Sequence, residues 1–116
     1  MDLKHFSKIN RDRCEHPKGF NHSLTSWSSS DWITAIMGEL GEAANIVKKL
    51  NRVRDGIRGN KESQDELRKK LRNELADVFI YLDLYFQYLG DNMGEVVQRV
   101  FDAKSEQIGY PIKICS

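Results

Sequence analysis

Apolar residues recur along this chain at three- and four-residue spacing, the period of an α-helix. Projected at about 100° per residue, Ile33, Ile36, Met37, Leu40, Ala44 and Val47 fall on one stripe, and from Leu67 onward so do Leu71, Leu75, Val78, Leu82, Tyr85 and Leu89. Residues 2–14 read as a first helix, which Pro17 and Gly19 stop before an irregular stretch to about residue 29. Ser30 reads as the N-cap of a second helix, because its hydroxyl can accept an unpaired amide of the first turn, and that helix runs to about residue 52. The loop DGIRGNKES separates it from a third helix that begins near Ser63 and ends at Gly90. Asn92 starts a fourth helix, with Glu95 placed as in a capping box, and Gly109 with Pro111 stops it before an extended tail, IKICS. The fold class is all-α, a single domain over residues 1–116. Four helices in a chain this short leave apolar surface for another copy to cover, so a homodimer or homotetramer is expected, with the interface on the aromatic-rich third helix around Tyr81, Tyr85, Phe86, Tyr88 and Leu89.

Two pairs of acids interrupt this pattern. Glu39 and Glu42 lie in GELGEAANIVKKL, and Glu74 and Asp77 lie in RNELADVFIYLDLY. A separation of three positions puts both carboxylates of each pair on neighbouring turns of one helix face, near enough to hold one cation between them. Glu39 borders the apolar stripe with Glu42 just beyond it, and Glu74 and Asp77 flank the second stripe with Tyr81 between them in projection. Like charges at this spacing repel unless a cation or base compensates them. Carboxylates without histidine or thiolate suit a hard ion, Mg²⁺ or Mn²⁺, and Mg²⁺ characteristically bridges to substrate phosphates. In a chain that is 30% charged, ordinary solvated helix edges give the same residue types, and that reading stays open at this point.

The remaining chemistry narrows the field. Net charge is +1, so no overall attraction to nucleic acid or to an anionic membrane is indicated. The opening MDLKHFSKINRDR alternates charge without the apolar core of a signal peptide, and no stretch approaches a membrane span; a cytoplasmic location is expected. Cys14 and Cys115 are expected as free thiols, and Cys14, His16 and His22 have unusual spacing for zinc and no fourth ligand. GIRGNK lacks the spacing and the following Ser or Thr of a phosphate-binding P-loop. A di-iron bundle needs Glu-x-x-His pairs, and all histidines precede residue 23. Local positive charge in KKLNRVRDGIR and RKKLR lies near the carboxylate helices, where it meets either a triphosphate or water. Phe20, His22, Trp27 and Trp32 precede the first acidic pair, so a loop from this region can fold over the carboxylates and stack a base. Trp32, beside Ile33 and Ile36, suits a core anchor. Trp27 stands among five serines with no periodic apolar partner and is the better stacking candidate.

The segment SWSSSDWITAIMGELGEAANIVKKL followed by NELADVFIYLDLY resembles the all-α nucleoside triphosphate pyrophosphohydrolases of the MazG-like superfamily, whose signature is ExxE, a variable spacer, then ExxD. The GE-x-GE form and the FIYLDL run look most similar to the small single-domain branch that includes the dCTP pyrophosphatases and phage- or integron-borne MazG-like proteins. The closing VFDAKSEQIGYPIKI resembles the tail of that branch, so the resemblance covers most of residues 22–114. Gly38 stands where many members carry a further acid, and Asp102 where an asparagine often follows Phe. The resemblance implies a four-helix MazG-like bundle completed by oligomerisation. It also implies Mg²⁺-dependent hydrolysis of a nucleoside triphosphate to monophosphate and pyrophosphate, with Glu39, Glu42, Glu74 and Asp77 as metal ligands and catalytic residues. Glu39 or Glu42 is the candidate for orienting the attacking water. Trp27, Trp32, Asn45, Lys48, Tyr81 and Lys104 are the implied substrate contacts. The competing class is a non-catalytic helical interaction module whose acids only solvate helix edges.

Overall fold

The structure is a computed structural model and describes residues 1–115. Among these the regular elements are all helical: α1 (Leu3–Glu15), a 3₁₀ turn (Leu24–Ser26), α2 (Ser29–Arg54), α3 (Gln64–Tyr88) and α4 (Met93–Ile108). No helix among the described residues is long and apolar enough to cross a membrane. The chain divides into two compact units, one spanning Trp27–Leu82 and the other joining Met1–Ser26 to the chain from Asp83 onward.

The unit Trp27–Leu82 is a helical hairpin. Its first helix is capped by Ser28, two residues before the expected Ser30. Ser28 Oγ accepts from the Asp31 amide at 3.3 Å while the Asp31 carboxylate accepts the Ser28 amide at 2.9 Å, a reciprocal box that Ser30, with Ile33 three positions on, cannot form. Arg52 and Arg54 occupy the last turn, where cations oppose the helix dipole. The connection is strapped down: Arg52 donates to the Arg58 carbonyl at 2.9 Å, Asn60 Nδ2 donates to the Lys49 carbonyl at 2.8 Å, and Ser63 Oγ accepts the Glu66 amide at 3.2 Å to start α3. Contacts then run in antiparallel order, with Lys49 paired to Glu62, Glu39 and Glu42 meeting Glu74, and Trp27 stacked on Tyr81.

The buried side of α2 is narrower than the apolar stripe read from the sequence. Trp32, Ile36 and Ala43 are buried, as is Leu67 of α3. Ile33, Met37, Leu40 and Val47 are 46%, 60%, 39% and 40% exposed. A helix carrying apolar residues over so wide an arc has more than one neighbouring helix can cover. Of the residues expected at an interface, Leu89 of the α3 end is exposed. Tyr81, Tyr85, Phe86 and Tyr88 of α3 are half-buried, and further large exposed apolar side chains include those on α2, Leu75 and Phe79 of α3, and Val97, Val100, Phe101 and Ile108 of α4.

In the other unit, α1 starts on Asp2, whose carboxylate accepts the Lys4 amide at 2.9 Å. Its end folds back tightly, with the Phe20 amide on the Arg13 carbonyl and the His22 amide on the Cys14 carbonyl, both at 3.1 Å. Gly19 is required there, since a Cβ would lie 1.8 Å from the Arg13 carbonyl oxygen. Both cysteines are free; Cys14 is buried, and burial pushes its thiol above the ordinary value. Asn92 caps α4 by accepting the Glu95 amide at 3.1 Å, and Gly109 closes the helix at φ +79. The tail is not simply extended: the Ile114 and Cys115 amides donate to the Asp102 carboxylate at 2.7 and 3.0 Å, tying it to α4. That contact gives Asp102 a structural task where the resemblance implied a phosphate-side asparagine.

Asp83 is the polar centre of this unit. It is fully buried, and its carboxyl accepts from the Ser7 hydroxyl, from Asn10 Nδ2 at 2.9 Å and from Gln87 Nε2 at 3.0 Å. Gln87 Nε2 also donates to the Ser7 carbonyl at 2.9 Å. Removing the shared acceptor leaves three donors buried without it, so Asp83→Ala is expected to lower unfolding stability by about 3 kcal/mol or more in urea denaturation. A loss below about 1 kcal/mol would show that water replaces the carboxyl at little cost.

Candidate metal site

The acidic pairs sit where the hairpin's two helices face each other. In α2 the buried direction is set by Trp32, Ile36 and Ala43, and helical periodicity turns Glu39 about 40° to one side of it. Glu39 and Glu74 are consequently half-buried, while Glu42 and Asp77 are more exposed. Ligand oxygens of Glu39, Glu74 and Asp77 all lie within 4.8 Å of one another. Glu42 stands outside that trio but is hydrogen-bonded to Glu74.

The electrostatics follow from the crowding. The Glu74 carboxyl is pushed above its ordinary range, chiefly by a hydrogen bond with Glu39, then by partial burial and by repulsion from Glu39 and Asp77. Glu42 is raised too, chiefly by its hydrogen bond with Glu74 and by the charge of that neighbour. The hydrogen bond from Glu42 acts on Glu74 in the other direction and lowers it, so the two carboxyls affect each other unequally. Glu74 Oε2 is shielded from solvent and no hydrogen-bond donor reaches it. Buried polar oxygens are almost always paired. An oxygen-only donor set of three carboxylates with one such atom fits a hard divalent cation and lacks the histidine or thiolate ligands that favour zinc or copper.

The aromatic residues are arranged differently from the reading of Trp27 as an isolated indole. Trp27 is half-buried, its ring 4.7 Å from that of Trp32 and stacked on Tyr81 at 6.4 Å with planes 9° apart. Its apolar partners are therefore Trp32, five positions on, and Tyr81 of α3, the second of which no inspection of the local sequence reveals. Trp32 has no exposed surface and takes the core position, so it supports Trp27 and presents no face to a ligand. Tyr81, placed by the sequence between Glu74 and Asp77, links this aromatic cluster to the carboxylates along α3.

The other expected contacts separate. Asn45 and Lys48 line a cavity further along α2, together with Lys49, Arg52, Gly59 and Asn60; the sequence marked the cations of this region only as a local cluster. The signal that finds them is the spacing of Glu42, Asn45, Lys49 and Arg52, one ridge of α2. Lys104 belongs to the other unit, on α4, where it lies 3.5 Å from Gln107 and lines an apolar groove with Phe86 and Val100. No family model matches the chain, and comparison with curated proteins and with solved structures finds no match.

The raised carboxyls carry a stability consequence of definite sign. A group whose folded-state pKa is raised stabilises the fold below the ordinary glutamate range, and that contribution is lost as pH rises through the raised value. In chelator, wild type is therefore expected to lose melting temperature relative to Glu74→Gln as pH is taken from acid to neutral. Millimolar Mg²⁺ at neutral pH should raise the melting temperature of wild type and leave Glu74→Gln nearly unchanged. Parallel pH profiles for the two proteins would show that the cluster is relieved by solvent alone.

Proposed function

We propose that this chain is a Mg²⁺- or Mn²⁺-dependent nucleoside triphosphate pyrophosphohydrolase of the MazG-like kind, cleaving between the α- and β-phosphates to give a monophosphate and pyrophosphate. The observation that carries the reading is Glu74, whose Oε2 is buried without a donor in a group of three carboxylates whose ligand oxygens lie within 4.8 Å. Solvated helix edges have no reason to bury an unpaired carboxylate oxygen among others of the same charge. A bound divalent ion would neutralise phosphate charge and lower the pKa of a coordinated water. Glu39, Glu74 and Asp77 would hold that ion. Glu42, more exposed and outside the trio, is the residue proposed to take the proton of the attacking water, which divides the roles that the sequence left open between Glu39 and Glu42.

Position of cleavage rests on the resemblance at ELGE and ELAD, because carboxylates and a cation do not by themselves choose the phosphorus. Trp27 is proposed to stack the base, held in place by Tyr81 stacked parallel to it and by Trp32 tilted against it. Asn45 and Lys48, on the same helix as Glu39 and Glu42, are proposed to contact sugar or phosphate. Association of copies is part of the same reading, since exposed apolar side chains such as those of α2 favour an interface.

Incubation with a panel of ribo- and deoxyribonucleoside triphosphates should give pyrophosphate and monophosphate with at least one member, only with a divalent ion. Glu39→Gln, Glu74→Gln and Asp77→Asn should each lower kcat by about 100-fold or more while the far-ultraviolet circular dichroism is kept, as expected for loss of a ligand charge. Nucleoside diphosphate and orthophosphate as the main products would overturn the assigned bond. No hydrolysis of any triphosphate, with an intact oligomer by light scattering, would return the chain to the class of helical interaction modules.

The aromatic assignment is checked separately. Trp32→Ala should cost about 3–5 kcal/mol of stability, because a fully buried indole leaves a cavity. Trp27→Ala should cost less stability and weaken nucleotide binding by on the order of tenfold, the worth of one base–aromatic stack. Unchanged affinity in Trp27→Ala would make the aromatic cluster a packing feature only.

A further inference from the structure

We propose that the turn end of the α2–α3 hairpin is a binding surface for the phosphodiester backbone of double-stranded nucleic acid, engaged without regard to base sequence. The chain's net charge of +1 conceals a separation of charge. Between Lys48 and Arg72 ten Lys and Arg stand against four Asp and Glu, a local charge of +6, and the remainder of the chain carries −5. A local excess of this size sets up a field that the whole-chain sum does not register. Most acids of the segment are already paired. Asp55 is held by Arg54 at 2.9 Å, Asp65 lies 3.9 Å from Arg68, and Glu62 is shared by Lys49 at 3.3 Å and Lys70 at 3.9 Å. Among the described residues, Lys48, Arg52, Arg58 and Lys61 have no carboxylate at ion-pair distance.

The fold gathers these four cations. Arg52 donates to the Arg58 carbonyl at 2.9 Å, and Asn60 Nδ2 donates to the Lys49 carbonyl at 2.8 Å. Both bonds draw the segment carrying Arg58 and Lys61 onto the last turns of α2, which carry Lys48 and Arg52. Gly59 makes the bend possible: its φ of +123 is one that residues with a side chain rarely adopt, and a Cβ there would stand 3.3 Å from the Arg52 guanidinium. Arg52 spends one nitrogen on this strap and keeps its other donors. Cations of like sign held together repel one another, and a row of phosphates relieves that repulsion.

The residue types say which polyanion fits. No Phe, Tyr, Trp or His lies between positions 48 and 72, so the surface has no platform on which unpaired bases could stack. Cations alone read phosphate and carry no base information. A duplex presents one charge per about 1.7 Å of its axis, the denser target for such a surface. An anionic membrane fits less well, because the exposed apolar side chains of the connecting turn are confined to Val53 and Ile57, and interfacial binding scales with buried apolar area. The acids of the metal site do not cancel the patch. Along α2, Glu42 lies about 9 Å before Lys48 and about 15 Å before Arg52, beyond the Debye length of about 8 Å in physiological salt. They repel phosphate at closer range and so confine a duplex to the turn end.

The test is a fluorescence-anisotropy titration of a labelled DNA duplex of arbitrary sequence with the whole chain, in chelator so that no metal bridges protein to phosphate. Binding is expected at micromolar protein in about 50 mM salt. With four phosphates neutralised, raising salt to about 200 mM should weaken it by about 100-fold. Arg58→Gln and Lys61→Gln together should weaken binding by roughly tenfold or more at low salt and make its logarithmic salt dependence shallower by about two. Lys4→Gln and Arg99→Gln together remove the same charge from exposed positions of α1 and α4 and should leave binding unchanged. The Arg58 and Lys61 side chains are exposed and take no part in the strap, so the melting temperature should hold in their variant. Whatever triphosphate hydrolysis wild type shows should persist in it as well, which keeps this inference separate from the hydrolase reading. Absence of duplex binding at about 100 µM protein, binding indifferent to salt, or equal weakening by the Lys4 and Arg99 pair would each overturn the proposal. So would tighter binding of a single strand than of the duplex, or binding of phosphatidylserine vesicles with none of the duplex.

Discussion

Repulsion among four carboxylates is the constraint around which the hairpin of α2 and α3 is arranged. Glu39, Glu42, Glu74 and Asp77 bear like charge, and two of them are held half-buried between the helices. Glu42 and Glu74 both sit above the ordinary glutamate range, Glu74 chiefly through its hydrogen bond with Glu39 and Glu42 chiefly through its hydrogen bond with Glu74. The fold keeps them together because the surrounding positions leave no alternative. Trp32, Ile36, Ala43 and Leu67 define the packed side, and helical periodicity then carries Glu39 and Glu74 to its border.

Packing sets the second constraint. Each helix of the hairpin carries apolar residues over a wider arc than its partner covers, so Met37 and Leu40 remain in solvent although they share a stripe with Ile36. The other unit shows the same excess on α4, where Val97, Val100 and Phe101 are exposed around an apolar groove. Burial elsewhere in that unit is polar as well as apolar. Asp83, Asn10 and Ser105 lie inside it, and the Asp83 network joins α1 to the end of α3 through Ser7, Asn10 and Gln87. A buried carboxyl with three donors orients its partners more narrowly than an apolar contact does, because each bond has a preferred direction.

On the proposed reading α2 is the axis of function. Its N-terminal turn lies beside the aromatic cluster, its middle carries one wall of the carboxylate site, and its final turns carry the cations that the strapped connection gathers into a cavity. Rigidity comes from the ends: the Ser28–Asp31 box fixes the start, and the bonds of Arg52 and Asn60 fix the return.

Much of this was legible in the residues. The helical period, the stop at Pro17 and Gly19, the cap at Asn92 and the left-handed close at Gly109 are local properties, decided within a few residues by hydrogen bonding and backbone sterics, and so the four helices could be read along the chain. The three-residue spacing of each acidic pair is likewise local and places its members on one face. What the spacing did not contain was the meeting of the two pairs, the separation of Glu42 from the trio, or the loss of solvent at Glu74 Oε2, since each depends on atoms brought in by the other helix. Ser28 displaced Ser30 as the cap because the contest turns on which serine has an acid three positions later. Trp27 seemed unsupported because its partner Tyr81 is 54 positions away in the sequence, and the basic residues beyond Glu42 read as an ordinary solvated run until the connection folded over them. Periodicity fixes which face a residue occupies; only tertiary packing decides what that face meets.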